Sequence, residues 1–111
     1  MEIPGRDKGV IPVEKIRDYL LAHEHPIGKF KAKFFYGLGY SRQNWKALAE
    51  DVDRILRQGN VTKSEETNYG IKYVVEGKLM SRSGVSHDVV TVWIVRAGES
   101  KPRLITVYPK R

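Results

Sequence analysis

Cysteine is absent from the 111 residues, and with it go a disulfide framework, a thiol nucleophile and a thiolate zinc site. No apolar run approaches the roughly 20 residues that a membrane-spanning helix needs. The first nine residues, with Pro4, Gly5 and Gly9 among mixed charges, lack the apolar stretch of a secretory signal. These absences predict a cytoplasmic protein with no membrane segment. No P-loop, no dinucleotide-binding glycine fingerprint and no Ser-His-Asp order is present. His23 and His25 lack a third ligand at convincing spacing, so neither a metal site nor a cofactor is expected.

What the sequence has in excess is positive charge: 20 Lys and Arg against 13 Asp and Glu, a net charge of +7. The excess runs along both halves and is not collected in a tail, which predicts a folded body with a positive face and a polyanionic partner such as RNA. A well-solvated surface that merely favours lysine gives the same composition. The length fits one domain with a single core. Residues 1–10 are expected to form a flexible arm and residues 11–111 the domain.

Apolar spacing divides that domain in two. Pro12 suits a helix start, and Ile16, Tyr19 and Leu20 fall three and four apart, which predicts a helix over 13–22. His25 precedes Pro26 and is expected at a turn. A second helix is expected over 28–38, with Phe30, Phe34 and Leu38 on one stripe and Gly39 after its end. Ser41 is a good N-cap for a third, in which Trp45, Leu48, Val52, Ile55 and Leu56 recur before Gly59. From Val61 the period becomes two, and turn residues divide strands at 61–67, 71–79, 89–95 and 104–108. The fold expected is α+β: about three N-terminal helices packed on a four-stranded antiparallel meander.

Alternation also suggests which sheet face is free. Val90, Val92, Ile94, Ile105 and Val107 are uniformly apolar and are expected against the helices. Thr91, Trp93, Thr106 and Tyr108 would line the open face, where an indole and hydroxyls can stack bases and bind phosphate. The same residue types decorate solvent faces for strand propensity alone.

The densest chemistry lies in His25-Pro26-Ile27-Gly28-Lys29-Phe30-Lys31-Ala32-Lys33. Lysines in a helix's first turn oppose the dipole, a local cost consistent with a phosphate shared between lysines and amides. Lys29 and Lys33, four apart, also read as a solvated stripe. An imidazole titrates near neutrality and suits proton transfer, which singles out His25. His87, beside Asp88, has the same chemistry with less context.

The chain resembles domain-of-unknown-function family 6883 from Ile11 to Pro109. The likeness rests on Ile11-Pro12-Val13-Glu14-Lys15, His25-Pro26 with Gly28, Lys31-Ala32-Lys33-Phe34-Phe35 and Leu38-Gly39-Tyr40. It continues through Tyr69-Gly70-Ile71-Lys72-Tyr73 with Gly77, Thr91-Val92-Trp93-Ile94 and Pro102-Arg103-Leu104-Ile105-Thr106-Val107-Tyr108-Pro109. The order of helices and sheet is similar to the ribonuclease superfold of barnase, EndoU, colicin nucleases and RelE-type toxins. That resemblance implies metal-independent RNA cleavage by a toxin, held in check by an acidic antitoxin or immunity protein. The residue types it implies for catalysis are His25, Lys31, Lys72, Thr106 and Tyr108. Lys29, Thr91, Trp93, Arg96 and Arg103 would bind RNA. The alternatives are a non-catalytic nucleic-acid- or partner-binding domain, and an antitoxin or immunity accessory.

Overall fold

The change of period along the chain is realised as two layers. A computed structural model describes residues 2–21 and 29–110, apart from the side chains of Lys29, Phe30 and Lys31. Helix α1 (Val13–Lys15) runs into a π-helical turn, Ile16–Leu20, and is followed by α2 (Lys29–Gly37) and α3 (Trp45–Gln58). Strands β1 (Asn60–Thr67), β2 (Gly70–Met80), β3 (Ser86–Arg96) and β4 (Arg103–Pro109) pair in sequence order as an antiparallel meander. The expected class, α+β with helices on one sheet face, is the class observed.

The π-helical turn replaces the plain α-helix expected over 13–22. Its wider winding closes with the Leu21 amide donating to the Ile16 carbonyl, and it brings Ile16, Leu20 and Leu21 together into the core, where all three are fully buried. Helix α3 begins at Trp45, later than the Ser41 cap predicts. Ser41 and Asn44 instead close the preceding turn on each other, the Ser41 amide donating to Asn44 Oδ1 and the Asn44 amide to Ser41 Oγ. Asn44 then occupies the cap position without a capping side-chain bond.

Helix α3 buries Leu48, Val52, Ile55 and Leu56 against the sheet. Gly77 makes its close crossing possible: a Cβ there would lie 2.8 Å from Ile55 side-chain carbons. Alanine at 77 would force the helix off β2.

The assignment of sheet faces from sequence needs correcting. Val89, Thr91, Trp93 and Val95 face the helices, and Val90, Val92 and Ile94 lie on the open side. Both alternating sets of β3 are almost wholly apolar, so parity alone leaves the choice open; the volume of Trp93, 0% exposed, fills the space beneath α3. Thr91 follows it inside because its hydroxyl is satisfied there. It donates to the Val75 carbonyl and accepts the Trp93 indole N–H, each at 2.8 Å. Thr91 and Trp93 are therefore core residues and not a base-stacking surface. In β4 a register shift opposite Val92 and Trp93 leaves Ile105 unpaired. This bulge turns Leu104 and Val107 inward together and keeps Thr106 and Tyr108 outside, as expected.

Residues 3–10 are docked where a free arm was expected. Ile3 is buried, Gly9 lies against Leu56 and Trp93, and Val10 forms a parallel bridge to Arg103 that covers part of the β4 edge. The Arg6 guanidinium donates to the Leu56 and Gly59 carbonyls at the end of α3, where helix carbonyls lack partners. Arg6→Ala is expected to cost about 1–3 kcal/mol. Urea unfolding should show a lower midpoint at unchanged slope; an unchanged midpoint would mean that the segment contributes nothing to the fold.

Candidate functional site

Among the described residues no helix packs on the open face of the sheet, and its side chains follow from the register. One row across it holds Glu65, Lys72, Ile94 and Arg103, and the next Lys63, Val74, Val92 and Thr106. A third holds Asn60, Glu76, Val90 and Tyr108. Val92 and Ile94 thus form an apolar floor along β3. Arg103, Thr106 and Tyr108 line it from β4, and Lys72 stands across it on β2. Because of the bulge, Arg103 and Thr106 share a face although three positions apart, where an unbroken strand would have put them on opposite sides. With strands spaced about 4.8 Å apart, the Cα atoms of Lys72 and Arg103 are roughly 10 Å apart, a gap that two long cationic side chains can span.

Ion pairing sorts the cations of this face. Lys78 binds Asp88 at 2.8 Å and Lys110 binds Glu76. The Lys78 ammonium, by hydrogen bond and charge, holds the Asp88 carboxyl below its usual range. Glu76 raises the Lys110 ammonium in the same way. Arg96 and Arg103 share Glu99 only at 3.9 and 3.8 Å, and Arg103 Nε is buried with no hydrogen-bond partner. Lys63 and Lys72 form no ion pair with any described residue. The cations least engaged, Lys63, Lys72 and Arg103, surround the apolar floor, and guanidinium and ammonium groups so placed favour a phosphate.

The expected residues are divided by the sheet. Lys72, Arg96, Arg103, Thr106 and Tyr108 share the open face. Lys29 and Lys31 lie, by backbone, in the first turn of α2, whose Ala32 and Phe35 are buried on the helix side of the sheet. His25 lies outside the described residues. Lys63 escaped notice because β1 is so polar that its parity is unreadable. Tyr69, in the expected break between the first two strands, stands 78% exposed at the β1–β2 turn. No cluster of three metal-ligating side chains occurs among the described residues, and no helix among them is long and apolar enough to cross a membrane.

Residues 2–111 match the family described as Domain of unknown function, DUF6883. The chain belongs to this family. Its DUF6883 motif segments now have places: Lys72 stands on β2 in the stretch that begins at Tyr69, and Arg103, Thr106 and Tyr108 are the outward members of the stretch from Pro102 to Pro109. A chain of the contact-dependent growth inhibition toxin–immunity protein complex from Klebsiella pneumoniae 342 has the same fold as this DUF6883 domain. The TM-score is 0.75 at 19% identity, over 96% of this chain and 97% of that one. Comparison with curated proteins finds no match.

Proposed function

We propose that this DUF6883 domain is an RNA-cleaving toxin domain whose open sheet face holds the scissile phosphate. The observation that carries the reading is the gathering of Lys72, Arg103, Thr106 and Tyr108 around an apolar floor. In a metal-independent cut the ribose 2′-oxygen attacks phosphorus, the 5′-oxygen leaves, and a 2′,3′-cyclic phosphate remains. Lys72 and Arg103 would offset the charge that builds on the phosphorane. Thr106 and Tyr108 would position the phosphate or the leaving oxygen. Proton transfer would fall to His25, and Lys31 would be the second charge-stabilising lysine. Tyr69 and Arg96 extend the surface for a flanking base and its phosphate. The shared fold with a chain of a toxin–immunity complex supports both the toxin role and an acidic immunity partner that covers this positive face.

The purified domain is expected to cut RNA in the presence of a chelator and to leave cyclic phosphate ends. Its RNA affinity should fall as salt rises, because bound phosphates release counterions. Binding that is salt-sensitive without cleavage of any RNA pool would leave a non-catalytic RNA-binding domain. If neither binding nor cleavage occurs at low salt, the immunity or partner-binding role that the same complex also contains becomes the better reading.

A further inference from the structure

The β2–β3 turn folds towards the C-terminal half of α2 and leaves an open concavity of about 470 Å3 between them. This is within the size range of small-molecule sites. It lies on the helix side of the sheet, away from the site above. Its polar lining is Lys33, Ser81, Ser83 and His87, with no carboxylate. The hydroxyls of Ser81 and Ser83 lie 2.8 Å apart, and Ser81 Oγ also accepts the Val85 amide. The turn is thereby held in one shape. Arg82 reaches back against Gly39, where a Cβ would lie 2.7 Å from its Cγ. Lys33 and Arg82 are exposed and form no ion pair with any described residue. The remaining wall is apolar: the Phe34 ring meets the His87 ring edge-on at 6.1 Å, and Val85 stands 55% exposed.

A lysine and hydroxyls on one side, an aromatic ring and an aliphatic patch on the other, and no carboxylate among the described lining residues select an anion attached to a flat apolar body. We infer that this concavity binds a nucleoside monophosphate unit, its phosphate held by Lys33 and Ser83 and its base covering Phe34 and Val85. Under the RNA-cleavage reading the unit is a nucleotide of the substrate remote from the cut; the pocket itself rests on its own residues. The lysine comes from α2 and the hydroxyls from the turn, so the site exists only when both elements are docked.

Titration of the full chain with adenosine 5′-monophosphate, followed by NMR, tests this, with adenosine and inorganic phosphate as separate arms. Saturable shifts are expected at the Val85 methyls, the Ser83 amide and the His87 ring. Either half-ligand alone should bind at least about tenfold more weakly. Lys33→Ala should weaken the monophosphate by about tenfold, and Val85→Ser, at an exposed position that the fold does not need, should weaken it and leave phosphate unaffected. Lys78→Ala, on the other sheet face and paired with Asp88, should leave the shifts at these nuclei unchanged. Absence of saturable shifts at these nuclei, unchanged affinity in Lys33→Ala, or phosphate binding as tightly as the monophosphate overturns the proposal. A failure of the cleavage reading would leave these shifts intact, and a failure of the pocket would leave cleavage intact, so the two are separable.

Discussion

Lys72→Ala is expected to lower RNA cleavage by a factor on the order of 10² or more, the size of the loss when one preorganised charge is removed from a developing anion. Lys72 is half-buried across the Ile94 floor from Arg103, with no carboxylate bound to it among the described residues, so its charge is available to substrate. Lys78→Ala is the matched control. That ammonium lies on the same face, further along β2, but is held by Asp88, and its removal should change cleavage little. Tyr108→Phe, which keeps the ring and removes the hydroxyl from a residue 39% exposed, should reduce cleavage with little effect on affinity if the hydroxyl acts on the phosphate or the leaving oxygen. Single-turnover rates and RNA affinity, measured separately, divide chemistry from binding. Equal activity of Lys72→Ala and the parent would remove the open face from the mechanism. An equal loss in Lys78→Ala would reduce its role to bulk charge.

Trp93→Ala should destabilise the fold by about 3–5 kcal/mol, the usual cost of truncating a large buried ring. The ring is fully buried, touches the docked N-terminal segment at Gly9, and shares its indole N–H with Thr91. Thr91→Val removes the acceptor for that N–H and the donor to Val75, and should cost about 1–3 kcal/mol by leaving buried polar groups unpaired. Both losses should appear as lower urea midpoints. Under conditions where the variants remain folded, Trp93→Phe should bind RNA as the parent does, because the ring never reaches the open face. Tyr69→Ala should weaken RNA binding without touching stability, since that ring is in solvent. Loss of RNA affinity in folded Trp93→Phe, with stability intact, would restore Trp93 to the binding surface.

The sequence by itself determined the element order, the meander and the apolar stripe of α3. Each rests on a signal local in the chain: helical spacing in Leu48, Val52, Ile55 and Leu56, turn residues between alternating strands, and no proline inside a central strand. It also determined the excess of cations and the outward pair Thr106 and Tyr108. Tertiary structure alone decided the parity of β3, because Val89-Val90-Thr91-Val92-Trp93-Ile94-Val95 is apolar on both sides and only the space beneath α3 selects the face that takes the indole. It decided the bulge at Ile105, which aligns Arg103 with Thr106, since a one-residue slip depends on the pairing partner. It decided that residues 3–10 dock, because their few apolar and hydrogen-bonding groups find partners only on α3 and β4, distant in sequence. And it decided which cations are spent in ion pairs and which face the floor, for a charge's availability depends on neighbours that only the folded sheet brings within reach.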